Sequence, residues 1–290
     1  KESYCATKEP DREFRDMIRA LHKAGIECIM EMYFPKGTPS LQMIRSLWFW
    51  KLYYHVDGFH LLGDGVQQDV IEQDPILYGT KKLFSNVSGE ADAENMLAEY
   101  NAGFMLDMRR FLKSDEGMIS GAEFHVRRNT GNFGTVNYMA TQDGFTLYDT
   151  VSYNYRHNEA NGEDNRDGSE FNYSWNCGVE GSTRKTAVRR MREQQMRNAF
   201  LMLLLSQGTP MIYGGDEFAN SQAGNNNVWC QDNPTGWTDW KNARRHTGLS
   251  SFVKEAIAFR KNHPILHMPK EMRGVDYMAK GFPDVSVHGE

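Results

Sequence analysis

The stretch Tyr54–Asp64 reads YHVDGFHLLGD and ends an apolar run on groups able to handle protons. His60 is of the type that donates a proton at mildly acidic pH. Asp64, and further along Glu90 and Asp143, carry carboxylates, the groups that serve as nucleophiles or general acids and bases. The acid-rich GEDNRDG, Gly162–Gly168, suggests calcium at first sight. It lacks the EF-hand's invariant glycine and terminal bidentate glutamate, so a hydrogen-bonded loop is expected instead. The nine histidines show no zinc-ligand spacing. No metal and no cofactor is expected.

Elements must hold these groups in place, and their pattern is that of βα units around a parallel sheet. Asp11–Ala24 sets Phe14, Ile18 and Leu21 on one helical face beside Met17 and stops at Gly25. Ile26–Phe34 reads as a buried strand, and Ser40–His55 as a helix with Leu41, Ile44, Leu47 and Trp48 recurring. Val56–Leu62, Lys82–Ser85, Val136–Thr141 and Pro210–Tyr213 are the other expected strands. Arg189–Gln207 is a long helix closed by Gly208, and Ser250–Asn262 a last one stopped before Pro264. Val87–Glu90, Gly117–Thr135 and the polar run Asn154–Thr186 read as loops. No repeat of 20–50 residues is visible.

The 290 residues are 40% hydrophobic, enough for one large core. A formal charge of −5 gives no basic footprint for nucleic acid. No apolar run approaches the roughly 20 residues that span a bilayer. Four cysteines without metal spacing read as reduced thiols, with Cys177 and Cys230 able to pair only if the fold joins them. The chain opens on Lys1 with no secretory segment, so it reads as an excerpt of a longer polypeptide, and the reduced thiols point to a cytoplasmic setting. The sixteen methionines read mostly as core filler.

Two long blocks are more specific. Ala140–Trp175 is ATQDGFTLYDTVSYNYRHNEANGEDNRDGSEFNYSW, and residues 203–240 are LLLSQGTPMIYGGDEFANSQAGNNNVWCQDNPTGWTDW. They resemble the isoamylase and glycogen-debranching branch of the α-amylase family, glycoside hydrolase family 13. The resemblance covers most of residues 10–290. It implies an α/β fold, a (β/α)8 TIM barrel, acting on α-1,6 linkages of α-glucans, with catalytic groups at the C-terminal strand ends. Residues 1–290 are then expected to form one partial barrel domain, shortened between residues 35 and 55, without flanking β-sandwich domains. Its first two strands are expected upstream, in a segment of the same polypeptide that completes the barrel. The expected partner is an α-glucan or malto-oligosaccharide, with no role for nucleic acid or membrane.

The resemblance also assigns roles, and here the chain departs from the pattern. The family's retaining mechanism uses a carboxylate nucleophile and a carboxylic acid about 5–5.5 Å apart. The nucleophile strand resembles V-D-G-F-R-F-D. Val56, Asp57, Gly58 and Phe59 fit, but His60 replaces the arginine and Leu62 the attacking aspartate. The acid strand resembles K-L-I-A-E-P-W, and Asn86 falls at its glutamate. Pro35 and Lys36 stand where an Asn–His pair braces the site, and Gln142 replaces the histidine of a His–Asp pair. Asp143, the third carboxylate, is retained. His60, Gln142, Asp64 and Glu90 remain substrate-binding candidates.

Three readings follow. One is an α-glucan-recognising protein without hydrolysis. The second is an active isoamylase- or pullulanase-like hydrolase using relocated Asp64 and Glu90 with Asp143. The third is an interaction module that no longer sees sugar. Trp175, Trp229, Trp237 and Trp240 have faces suited to sugar rings, although aromatics in such loops are expected more often in the core.

Overall fold

A computed structural model of the chain describes residues 5–89 and 96–288. Its helices are α1 (Pro10–Lys23), α2 (Ser40–Tyr54), α3 (Gln68–Glu72), α4 (Ala102–Leu112), α5 (Ile119–Arg127), α6 (Leu147–Thr150), α7 (Thr186–Leu205), α8 (Lys241–Arg245) and α9 (Thr247–Asn262). Its strands are β1 (Ile29–Tyr33), β2 (Gly58–Leu62), β3 (Lys81–Phe84), β4 (Leu97–Asn101), β5 (Gly134–Tyr138) and β6 (Thr209–Met211). The strand order is β1-β2-β3-β4-β5-β6, and the pairs β1–β2, β2–β3, β3–β4 and β5–β6 are parallel. All five strands expected from sequence are present. β4 was not expected, and α5 lies within the supposed loop Gly117–Thr135.

The chain divides into two compact units, Lys1–Tyr100 with Asn132–Thr135, and Asn101–Gly131 with Val136–Glu290. The first has its own core of Ile18, Met43, Leu47, Phe59, Leu61, Ile71 and Leu77 with their neighbours. α1 carries Asp11 and Glu13 in its first turn and His22 and Lys23 in its last, matching the helix dipole. α2 buries Met43, Ile44 and Leu47, one turn of apolar spacing, and closes on His55 in the left-handed region. At Gly58 a Cβ would stand 2.5 Å from the Lys81 carbonyl oxygen, so β2 enters the sheet on a residue without one. Just past Leu62, Gly63 has φ +97°, and a Cβ there would meet the Phe34 carbonyl oxygen at 2.3 Å.

The second unit packs Phe104, Met108, Met139, Met196, Ala199, Phe200, Leu203 and Val253 into a separate core. Asn101 accepts from the Phe104 N–H and so caps α4. α5 buries Ala122 and His125, and its Gly121 admits Asp107, whose Oδ2 would lie 3.0 Å from an added Cβ. Among the described residues no helix is long and apolar enough to cross a membrane.

Candidate functional site

In the first unit β1, β2 and β3 keep an unbroken register that pairs Glu31 with His60, Tyr33 with Leu62 and Leu61 with Phe84. Leu62 is thus the last residue of β2, and its carbonyl accepts from the Phe34 N–H at 2.8 Å. Beyond it the chain turns at Gly63, and Asp64 is exposed. Asn86 is exposed two residues past the end of β3. Glu90 lies outside the described residues. Pro35 and Lys36 are both exposed, directly after the buried Phe34.

His60 is buried in the middle of β2. Its Nδ1 lies 3.0 Å from Glu31 Oε2, and its ring stacks on Tyr100 at 4.1 Å. A carboxylate accepts, so the neutral ring carries its proton on Nδ1 and presents a bare Nε2. That Nε2 is buried and has no hydrogen-bond partner among the described residues. Burial pushes the imidazole below the ordinary histidine range, against the opposing pull of Glu31. His60 therefore favours the neutral form, which is poor at the proton donation suggested by its residue type.

In the second unit Gln142 and Asp143 follow β5 in a bend. Asp143 is exposed; its N–H donates to Thr141 Oγ1 at 3.2 Å, and its carbonyl accepts from the same hydroxyl at 3.1 Å. The same unit holds two carboxylates that sequence reasoning missed. Asp149 is fully buried and accepts from Ser221 Oγ at 2.5 Å and the Gln222 N–H at 2.8 Å. Burial nevertheless raises it to about 6. Asp216 accepts from the Leu147 N–H at 2.9 Å. Burial raises it to about 7, against that bond and the positive charge of Arg109. One local signal was available for Asp149: Thr146 caps α6 by accepting its N–H, a Thr-x-x-Asp capping pattern.

These raised carboxyls have a pH consequence. A carboxyl that holds its proton more tightly folded than unfolded stabilises the fold fully below the unfolded value, about 3.9. The contribution is lost as pH rises through the folded value, about 7 for Asp216. Asp216→Asn is expected to flatten the decline in thermal midpoint between about pH 4 and pH 7. Parallel pH profiles for variant and parent would refute the assignment.

The acid-rich block is a hydrogen-bonded loop, as its sequence suggested. Asn158 Nδ2 donates to the Asp167 carbonyl and to Asn226 Oδ1, both at 2.8 Å. Asn161 Nδ2 reaches Asp167 Oδ2 at 2.7 Å, and Asn227 Nδ2 reaches the same oxygen at 2.8 Å. The tryptophans are not core residues. Trp229, Trp240, Trp237 and Trp175 are 75%, 72%, 55% and 38% exposed. Trp240 rests one face against the buried Phe218, ring centroids 5.5 Å apart, and Trp237 is steadied by its Nε1 bond to Asp232 Oδ1 at 2.9 Å. Cys177 and Cys230 are free thiols.

No family model matches the chain. It is 31% identical to a glycogen operon protein GlgX homologue of Mycobacterium tuberculosis, over 93% of this chain and 48% of the relative. It is 32% identical to a glycogen debranching enzyme of Dickeya chrysanthemi, over 94% of this chain and 52% of the relative. The chain thus spans about half the length of these curated relatives. The first alignment takes 350 residues to cover 93% of a 290-residue chain, so the relative carries extra residues inside the matched stretch. Among solved structures, a pullulanase from Bacillus acidopullulyticus superposes with a TM-score of 0.67 at 16% identity, covering 92% of this chain and 39% of that one.

Proposed function

The chain belongs to the isoamylase and glycogen-debranching branch of the α-amylase family, glycoside hydrolase family 13, and from that premise we propose that it recognises α-glucans without hydrolysing them. One observation carries the reading: the β1–β2 register runs unbroken to Leu62, and the β2–β3 register to Leu61. A slip of one or two residues that brought Asp64 to the strand end would break that pairing and reverse or displace the buried faces. Leucine offers no lone pair for attack on an anomeric carbon. Asn86 keeps the shape of a carboxyl and can bind a sugar hydroxyl, but it does not titrate near neutral pH. The exposure of Asp64 weighs against relocated chemistry. Asp143 is left as a group that orients sugar hydroxyls.

In this proposal residues 1–290 are a partial barrel, shortened between residues 35 and 55 and completed by two strands from upstream. Its ligand is an α-glucan or malto-oligosaccharide. The free thiols suit a reducing cytoplasm.

The exposed indoles give the recognition a test. Loss of an exposed aromatic face that stacks on a ligand costs about 0.5–1.5 kcal/mol, up to about a tenfold loss of affinity. Trp229→Ala and Trp240→Ala are each expected to weaken retention in glycogen-containing native gels by about that factor. Mobility like the parent's in both variants would remove the tryptophans from the binding surface.

A further inference from the structure

Glu193 and the arginines around it open a different question in the second unit. A cavity of about 320 Å³ lies between the start of α7 and the α8–α9 junction. Arg189, Arg190, Arg192 and Arg245 line it, with His246. Glu193 is the acidic residue in the lining, and its Oε1 is engaged by Arg197 at 2.7 Å. Arg189, Arg190 and Arg245 have no ion pair among the described residues; Arg245 meets the neutral Asn242 amide at 3.5 Å.

We infer that this cavity is a binding site for a small phosphate-bearing metabolite. Guanidinium groups present planar forks of N–H donors that match phosphate oxygens two at a time. Glu193 is the counter-charge in the lining and Arg197 already engages it, so the other arginines repel each other, and a bound anion relieves that cost. The charges do converge here: burial pushes His246 toward its neutral form, Glu193 pulls the other way, and Arg189 and Arg245 both add to the push. Arg192 adds a second, buried observation. It is 1% exposed, lines the cavity, and its Nε has no partner among the described residues.

The helices add to the same field. Thr186 opens α7 and Gly248 lies in the first turn of α9, and both line the cavity. Neither helix has a side-chain cap on its first N–H groups, so both positive dipole ends are available to an anion. The volume sits at the low end of small-molecule pockets, roughly 300–1,000 Å³. That size, and a chain charge of −5, favour a compact metabolite over a nucleic acid.

The test is calorimetric titration of the intact protein at constant ionic strength with inorganic phosphate, pyrophosphate, glucose 6-phosphate and AMP. The double variant Arg189→Gln with Arg245→Gln removes two of the lining charges, and its thermal midpoint without anion verifies that it folds. At least one phosphate-bearing probe is expected to saturate at millimolar concentration or below, and to bind at least tenfold more weakly to the double variant. Preference for glucose 6-phosphate supports a sugar phosphate as occupant, and preference for AMP a nucleotide. A response no stronger than that of chloride, or one unchanged in a folded double variant, would overturn the inference.

Discussion

Arg192→Met is expected to destabilise the protein by about 3–5 kcal/mol, because it strips donors from several buried acceptors at once. The Arg192 guanidinium is buried and donates to the carbonyls of Gly181 at 2.7 Å, Asn176 at 3.0 Å and Ser152 at 3.4 Å, and to that of Val179. Ser152 keeps a second donor, the Gly181 N–H at 2.8 Å. Leaving one buried acceptor unpaired costs about 1–3 kcal/mol. Arg192→Lys should recover little, since a single ammonium cannot reach the spread of oxygens that a fork spans. Urea unfolding followed by tryptophan fluorescence measures the loss. A change under about 1 kcal/mol, the size of an ordinary single hydrogen bond, would mean that the polar loop holds itself.

What is local in this chain is readable from sequence, and what is paired at a distance is not. Strands β1 and β2 and helix α2 announce themselves through apolar runs such as IMEMY and the spacing of Leu41, Ile44, Leu47 and Trp48, although Leu41 proves exposed and Met43 takes its place in the core. β4 does not: in LAEYN only Leu97 and Asn101 are buried, and neither alternation nor a continuous apolar run results. α5 hides behind Gly121 and a short length, and is held by burial of Ala122 and His125. Leu62 and Asn86 could be proposed as departures from the sequence because the motifs around them are contiguous. Glu31 as the partner of His60 was not, since the two meet only through the β1–β2 register across 29 positions. Asp216 likewise owes its raised titration to burial, with Arg109, far away in the chain, pulling against it. The tryptophans misled in the other direction. Their apolar area suggested core, but they sit in polar loops that leave them largely exposed, and even Trp240, which touches the buried Phe218, is 72% exposed.

Against pullulan, glycogen and short branched dextrins, the unmodified protein is expected to release no reducing sugar above background. Removing one member of a catalytic unit typically costs several orders of magnitude in rate. Here Leu62 and Asn86 stand where the proposal expects the nucleophile and the acid. His60 does not make up the deficit, since burial keeps it toward the neutral form and its proton faces Glu31. Nor is Leu62→Asp with Asn86→Glu expected to restore turnover, because Pro35 and Lys36 still stand in the place of the bracing pair. The most direct test pairs two readings on one sample, reducing-end release and retention in a glycogen gel, with Asp143→Asn as the control. Retention without release, weakened in Asp143→Asn, is the predicted result. Release that disappears in Asp143→Asn would contradict it, because the chain would then be a working hydrolase.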